Sequence, residues 1–408
     1  MNARIKQAGP ALWHERYPEL GTGPMPIEPY VSPAYFERER EAIFRKVWLN
    51  VGRVEQIPEP GQYFIKELEI CRTSIIIVRG ENGAVHAFHN MCSHRGNRLL
   101  WDHKGKCRAF TCKYHSWTYR LDGGLHHVPD EAKFFDLDKA SLGLTPVSVE
   151  VWEGFIFINV DPQPVQSLTE FLGEAGKSFA GYPFADGAAA CFSWQVEMKA
   201  NWKVGKDAFQ EVYHIFSLHN RSTGRMFASK ANPYLNAHEL ALFDPHARIS
   251  VPANIDWQAT PVEALAKRFG ILTLQKQGIS SQGMPPGVNP TGAEDWSFSG
   301  FNLFPNCAIF VSQGGFLTHT FWPLAADRTL WEARIYFPKA NTLAERFSQE
   351  YSRSTFLDGV MAEDGGIFER TQSMLASGAK KTVILGDEEM LVRHHQKMVE
   401  RYVNAAQG

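Results

Sequence analysis

Two short cysteine–histidine motifs constrain the fold of this chain more than any other feature of its sequence. One residue separates Cys92 from His94, two separate Cys112 from His115, and seventeen residues lie between the two motifs. Each motif can therefore supply one thiolate and one imidazole. A structural zinc site is the weaker alternative, because zinc sites prefer two cysteines or two histidines in each half. A pair of bridged irons, one held by two thiolates and the other by two imidazoles, fits this order better.

The residues around these motifs resemble the Rieske [2Fe–2S] motif of aromatic ring-hydroxylating oxygenase α subunits. The matching segments are residues 90–96, NMCSHRG, and 112–119, CKYHSWTY. Ser116 and Lys113 stand where that family often has Gly and Pro. The cluster ligands that the resemblance implies are Cys92, His94, Cys112 and His115.

A second group of candidate ligands lies in a segment that resembles the iron-binding helix of the same family. The pattern predicts a helix over residues 202–216, on which Asp207, Glu211 and His214 share one face. His219 lies five residues after His214, which is about 140° away on an undistorted helix. Both histidines can bind one metal only if the helix ends or widens between them. Two histidines and one carboxylate leave open positions on a mononuclear iron.

The third iron ligand must come from a distant part of the chain, and the resemblance implies an aspartate on a C-terminal helix. We expect Asp364 in this role, with Glu363 and then Asp358 as alternatives. The resemblance also implies an acid that links the iron site of one subunit to the cluster of its neighbour. Glu211 holds that position, where the family usually has Asp and its quaternary-amine branch, such as carnitine oxygenases, has Glu. We expect Asp207, one turn earlier, to lie beside the ligands as a further catalytic acid.

Changes in the residue pattern along the sequence divide the chain into three parts. Residues 1–47 form an N-terminal helical segment that we expect to pack on the catalytic domain. Residues 48–162 indicate an all-β Rieske domain, because short β-branched runs alternate with turn residues. For residues 163–408 the resemblance implies a catalytic domain of the helix-grip type with a curved antiparallel sheet, so the expected class is α+β. The predicted helices cover residues 33–48, 168–179, 202–216, 356–374 and 388–403, and the predicted strands include 308–312 and 331–337.

The composition is that of an ordinary globular protein. Of the 408 residues, 44% are hydrophobic and 21% are charged, and the formal net charge is −2. Nucleic-acid binding usually requires a basic face, and no apolar run is long enough to cross a bilayer. The first residues lack the apolar stretch of a secretory signal. We therefore expect a cytoplasmic protein that binds neither nucleic acid nor membranes.

The resemblance implies a terminal oxygenase component that activates O2 at a mononuclear Fe(II) fed by the Rieske cluster. It also implies a homotrimer, or an α3β3 assembly with a small β subunit. Electrons would come from an NAD(P)H-dependent reductase, often through a ferredoxin. An electron-transfer-only Rieske protein is the alternative from another class, but it would leave the second group of ligands without a purpose.

The substrate is less constrained than the metals. Residues 278–290 are a candidate lid, and the mostly apolar residues expected near the iron are Ala208, Phe209, Phe216, Phe368 and the strand 302–310. This lining favours a small hydrophobic substrate, aromatic or polycyclic, that is mono- or dihydroxylated, as in aromatic hydrocarbon catabolism. Oxidative demethylation and quaternary-amine monooxygenation are the alternatives within the same superfamily.

Overall fold

The computed structural model describes residues 12–269, 283–313 and 315–405, which form an α+β fold with 33% helix and 28% strand. The helices are α1 (Trp13–Arg16), α2 (Glu28–Val31), α3 (Pro33–Glu39), α4 (Leu168–Phe179), α5 (Phe184–Gly187), α6 (Trp202–Ala208), α7 (Ile215–Leu218), α8 (Gly224–Phe227), α9 (Pro261–Phe269), α10 (Leu343–Arg353), α11 (Met361–Ala376) and α12 (Met390–Ala405). The strands are β1 (Met25–Pro26), β2 (Leu49–Arg53), β3 (Gln62–Leu68), β4 (Thr73–Arg79), β5 (Val85–His89), β6 (Lys104–Lys106), β7 (Phe110–Thr111), β8 (Thr118–Tyr119), β9 (Leu125–His127), β10 (Ser148–Trp152), β11 (Phe155–Asn159), β12 (Ala190–Met198), β13 (Glu239–Leu242), β14 (Ala247–Pro252), β15 (Trp296–Leu303), β16 (Cys307–Ser312), β17 (Gly315–Ala325), β18 (Arg328–Phe337) and β19 (Thr382–Val383).

Three small antiparallel sheets lie between β2 and β11, and they carry the two cysteine–histidine motifs. Their strand orders are β5-β4-β3-β6, β10-β11-β2 and β7-β8-β9. The run of β-branched residues 75–78 in β4 is fully buried, which explains why it forms a central strand. A separate buried cluster contains both motif cysteines together with Trp117 and Tyr119. The first motif follows β5, and the second lies between β7 and β8, so the sheets bring the two loops together.

A seven-stranded antiparallel sheet forms the other half of the fold, in the order β12-β18-β17-β16-β15-β14-β13. Helices α6 and α11 contact each other, and α6 also packs on β17 and β18. Trp331 of β18 is fully buried, with ring centroids of Phe321 and Phe368 both 5.5 Å away. The expectation of an α+β fold with a curved antiparallel sheet is confirmed.

The predicted helix over residues 202–216 is wrong in its second half, because α6 ends at Ala208. The next residue, Phe209, places its ring among the rings of Phe310, His319 and Trp331, at centroid distances of 4.3 to 6.0 Å. This packing against the sheet takes the chain off the helix axis. The short helix α7 begins only at Ile215.

The other predicted helices differ less from the observed ones. The first is shorter than expected, because α3 continues only through the π-helical turn Arg40–Phe44. A second π-helical segment, Ser354–Val360, leads directly into α11. No helix in the described residues is long and apolar enough to span a membrane.

The candidate lid does not cover a cavity where it is described. Residues 278–282 lie outside the described residues. The backbone N–H of Gly287 donates to the carbonyl of Ser178 at the end of α4 (2.7 Å), and Val288 is fully buried. Pro285, Gly287 and Val288 are therefore anchored against the core, whereas Gly283 and Pro286 are exposed, and none of these described residues lines the cavity beside the candidate iron ligands.

A buried ion pair ties the N-terminal segment to α6. The carboxylate of Glu39 lies 2.5 Å from the ammonium of Lys203, and both side chains are fully buried. The indole N–H of Trp202 donates to the second Glu39 oxygen at 3.0 Å. Burial raises the pKa of Glu39 and lowers that of Lys203, and their mutual attraction opposes both shifts.

Replacing one partner of this pair should destabilise the fold strongly. We expect Glu39→Gln to lower the free energy of unfolding by about 3–5 kcal/mol, because Lys203 keeps a buried charge without a partner. Glu174→Gln is the matched control: Glu174 and Lys177 form an ion pair at 2.7 Å, but both are about 70% exposed. That change should cost less than about 1 kcal/mol. Urea unfolding followed by circular dichroism compares the two, and equal losses would contradict the prediction.

Candidate metal centres and active site

The two cysteine–histidine loops share one backbone geometry. The N–H of Gly96 donates to the carbonyl of Cys92, and the N–H of Ser116 donates to the carbonyl of Cys112, both at 2.9 Å. Gly96 and Ser116 both have positive φ, +70° and +58°. This conformation favours glycine, so Ser116 carries a modest strain at the position where we noted a departure from the family pattern.

These loops bring their four candidate ligands together. Cys92 and Cys112 are almost fully buried, and the rings of His94 and His115 have centroids 4.6 Å apart. His94 stacks on Trp117 with centroids at 4.8 Å and planes 8° apart. Its Nδ1 atom is buried and has no hydrogen-bond partner in the described residues. Buried polar atoms are rarely left without a partner, so this nitrogen fits a metal ligand and the donor set fits a Rieske cluster.

Hydrogen bonds to the sulfur side of the site come from nearby side chains. The hydroxyl of Tyr119 lies 3.2 Å from Sγ of Cys92 and accepts the backbone N–H of Ser93 at 2.9 Å. The amide of Asn97 lies 3.7 Å from Sγ of Cys112. Such bonds to cluster sulfurs tune the reduction potential.

A second donor set forms at the two ends of α7 and in the first turn of α11. His214 precedes α7 and His219 follows it, so one short helical turn spans their five-residue separation. Together with Asp364, they place three possible ligand atoms within 4.8 Å of one another. Oδ1 of Asp364 lies 3.2 Å from Nε2 of His219 and 3.8 Å from Nε2 of His214. This Oδ1 is buried and has no hydrogen-bond partner in the described residues, so the set fits a two-histidine, one-carboxylate iron site.

Two further acids hold the outer nitrogens of these rings. Nδ1 of His214 hydrogen-bonds to Glu211, and Nδ1 of His219 bonds to Glu363 at 2.7 Å. Glu363 also accepts the hydroxyl of Ser222 at 2.6 Å. Each bond assigns the proton to Nδ1 and leaves Nε2 free to bind a metal. The local residue pattern did not indicate this use of Glu363, beyond its position next to Asp364.

The other alternative ligand lies away from this site. The carboxylate of Asp358 pairs with Arg353 at 2.9 Å, and about half of its side chain is exposed. Asp358 therefore belongs to a surface ion pair.

The helical pattern predicted that Asp207 lies beside the candidate ligands, but the structure places it elsewhere. It accepts the hydroxyl of Tyr30 at 2.6 Å and the amide of Gln396 at 3.2 Å, and Nδ1 of His395 lies 3.5 Å away. The helix ends one residue after Asp207, so the face that was expected to align it with His214 does not exist. Asp207 instead links the N-terminal segment to α12.

The charge around the three donors is predominantly negative. Burial disfavours the charged form of His214, but the carboxylates of Glu211 and Asp364 outweigh burial and raise its pKa. A metal cation is favoured by the same excess of carboxylate.

A cavity of about 120 Å³ opens beside the donors. Four phenylalanine rings form a continuous wall, with centroid distances of 5.8 Å between Phe227 and Phe298, 5.6 Å to Phe310 and 6.0 Å on to Phe209. The expected lining residues Ala208 and Phe209 are present in this wall.

Two other residues expected at the pocket lie elsewhere. Phe216 packs on Tyr234 at a centroid distance of 5.3 Å, and Phe368 is buried against Trp331. Neither is among the described residues that line the cavity. Strands β15–β17 contribute six further lining residues, which are distant in sequence from the histidine motif: Ser297, Phe298, Phe310, Ser312, Leu317 and His319.

Comparison with known protein families agrees with this geometry. Residues 187–405 match the family described as ring hydroxylating alpha subunit (catalytic domain), and residues 47–150 match the Rieske [2Fe-2S] domain. The catalytic match argues against the electron-transfer-only alternative, which needs the Rieske part alone.

Two relatives are similar to this chain over different lengths. The carnitine monooxygenase oxygenase subunit of Acinetobacter baumannii is 33% identical over 353 residues, which cover 85% of this chain and 84% of the relative. The glycine betaine monooxygenase oxygenase subunit of Chromohalobacter salexigens is 38% identical over 200 residues, which cover 49% of this chain and 44% of the relative. The match therefore spans less than half of that second relative.

Solved structures share the fold over nearly the whole chain. A quaternary ammonium Rieske monooxygenase superposes with a TM-score of 0.75 at 23% identity, covering 94% of this chain and 97% of that one. Naphthalene 1,2-dioxygenase from Rhodococcus sp. bound to indole also gives 0.75, at 19% identity and 97% coverage of both chains. The chain therefore belongs to the family of Rieske-type ring-hydroxylating oxygenase α subunits.

Proposed function

We propose that this chain is the terminal oxygenase of a quaternary-amine monooxygenase system. The observation that carries the proposal is the set of His214, His219 and Asp364 around one point, beside an aromatic cavity. In this proposal these three residues hold Fe(II). The residues that hold the [2Fe–2S] cluster are Cys92, His94, Cys112 and His115.

The proposal assigns a separate function to each of the three parts of the chain. Residues 48–162 would form the electron-transferring Rieske domain and residues 163–408 the oxygenase domain, with residues 1–47 packed on the latter. Electrons would enter from an NAD(P)H-dependent reductase, directly or through a ferredoxin. Assembly as a homotrimer, or as α3β3, would bring the cluster of one subunit to the iron of the next.

The iron, when bound, supplies activation of dioxygen after reduction by the cluster. The residues of the chain orient the metal ligands and the substrate for this chemistry. Glu211 and Glu363 keep the protons of the two ligand rings at Nδ1, so both Nε2 atoms face the metal. The phenylalanine wall excludes water and holds the substrate next to the open iron positions.

Glu211 has a second proposed role, as the link to the neighbouring cluster. Both of its oxygens now contact His214, one at the ring and one at the backbone N–H (3.1 Å). Its side chain keeps about 10% of its surface exposed, which leaves room for a histidine of another subunit. A carboxylate between two imidazoles fixes both tautomers and shortens the electron path.

The substrate class follows from the relatives and the cavity together. The relatives include subunits that act on carnitine and glycine betaine. Glu211 stands at the position where the quaternary-amine branch also has Glu. Aromatic faces attract a quaternary ammonium group through the negative charge of their π-systems. These points support a quaternary ammonium substrate better than the aromatic or polycyclic substrate that was expected from the sequence.

An aromatic substrate remains the second candidate function, because the same phenylalanine wall would stack on an aromatic ring. Turnover with reductase and isotopically labelled ¹⁸O2 separates the two. We expect oxygen uptake and label incorporation with trimethylammonium compounds and none with naphthalene. Label in a naphthalene diol, with no ammonium-dependent uptake, would reverse the assignment.

The outer acid Glu363 should control how tightly iron is held. We expect Glu363→Gln to weaken iron binding by about 10- to 100-fold, because His219 loses the charged partner that orients it. Iron retained against a graded chelator measures the effect. Glu369→Gln is the control on the same helix: Glu369 accepts the backbone N–H of Lys199 at 3.0 Å and contacts neither ligand histidine, so its change should leave iron binding unaltered. Equal iron loss in both variants would reject the role.

Glu211→Gln should slow electron transfer between the metals while both remain bound at saturating iron. We expect a fall of about 10- to 100-fold in the single-turnover rate of cluster oxidation, because the linking carboxylate loses its charge. Glu363→Gln provides the comparison, since it changes the other ring only and should keep the rate at saturating iron. An unchanged rate in Glu211→Gln would refute the link.

A further inference from the structure

One histidine of the cavity wall has no part in the metal site. His319 lies on β17, is almost fully buried and lines the cavity together with the three candidate ligands. Its ring stacks on Phe209 with centroids 4.3 Å apart and planes 29° apart. The ring is therefore held rigidly within the aromatic wall.

The neighbouring tryptophan determines which nitrogen of His319 carries the proton. The indole Nε1–H of Trp331 donates to Nδ1 of His319 at 3.3 Å. An indole nitrogen can only donate, so Nδ1 is an acceptor, the ring is neutral and its proton is on Nε2. In the described residues this Nε2–H has no hydrogen-bond partner. Burial and the nearby charge of Lys206 lower the pKa of His319 to about 3, so the ring stays neutral.

The described wall of the cavity contains no lysine or arginine. Lys206 is fully buried, and its ammonium bonds to the amide oxygen of Asn302 at 2.5 Å. It does not line the cavity. A substrate carboxylate would therefore meet the acids Glu211 and Asp364 without any positive side chain to offset its desolvation.

We propose that His319 is a specificity-determining residue, and that its Nε2–H selects a quaternary ammonium substrate bearing a neutral oxygen acceptor, such as a hydroxyl group. A neutral donor can satisfy a hydroxyl but cannot balance the charge of a carboxylate. Betaines with a carboxylate are consequently poor ligands of this cavity. The inference rests on the proposed function, and it narrows that function to ammonium alcohols.

Anaerobic calorimetric titration of the intact holoenzyme tests this with three probes. Choline has the hydroxyl, tetramethylammonium has no oxygen, and glycine betaine has a carboxylate. We expect choline to bind about 3- to 10-fold more tightly than tetramethylammonium, the effect of one neutral hydrogen bond. Glycine betaine should bind at least about 10-fold more weakly than choline, because its carboxylate loses water without gaining a cation.

Three variants assign the preference to the N–H group. His319→Phe keeps an aromatic ring but removes the donor, so choline and tetramethylammonium should bind equally. His319→Gln keeps a donor and should restore part of the preference. Thr318→Val is the matched control, because neighbouring residues of a strand face opposite sides, and it should retain the full preference. Cluster absorption and thermal unfolding verify that each variant is folded.

The possible failures can be told apart. If all three probes bind with equal affinity, or if His319→Phe keeps the choline preference, the role of His319 is overturned and the quaternary-amine function stands. Glycine betaine binding as tightly as choline would overturn the rejection of carboxylates. If no ammonium probe binds and naphthalene does, the proposed function and this inference both fail.

Discussion

The excess of negative charge at the iron site is the constraint on which much of the structure depends. Glu211, Glu363 and Asp364 converge on two histidines, and an oxygen of Asp364 is buried without a hydrogen bond in the described residues. A buried carboxylate without a partner is costly. A bound divalent cation offsets that cost, so in the family to which this chain belongs, metal binding and the local fold stabilise each other. The ends of α7 and the first turn of α11 are held in place by the same contacts.

The sequence was most informative where chemistry depends on residue type and short spacing. The seven candidate ligands chosen from motifs are the residues that the structure brings together in two groups. The α+β class and the positions of α3, α4, α11 and α12 were also predictable, because their hydrophobic patterns are local. The helix end that was expected between His214 and His219 is not observed there, because the four residues between them form the single turn α7. The helix that precedes them ends earlier, at Ala208, where Phe209 packs into the sheet.

The errors share one physical cause, which is tertiary packing that a local pattern does not contain. Asp207 was aligned with His214 on a helix that stops before it reaches His214, and its partners Tyr30 and Gln396 come from the two ends of the chain. Glu363 was treated only as an alternative ligand, although an acid beside a ligand can serve by orienting a histidine. The cavity wall was only partly foreseen: Phe310 was expected in it, but Phe298 and Phe227 were not, since they lie on elements outside the motif.

The negative charge of the iron site and the lack of basic groups in the described cavity wall favour the same kind of substrate. Three carboxylates around one Fe(II) exceed its two positive charges by one, while the described wall adds no basic group. The phenylalanine rings make the cavity wall apolar, so this charge is less well screened there than in water. A cationic substrate gains from that field and from the aromatic faces, whereas an anionic group gains nothing and loses its hydration. Charge alone, however, does not orient the substrate. Orientation requires a directed contact, and a neutral histidine fixed by its tryptophan provides one without changing the balance of charge.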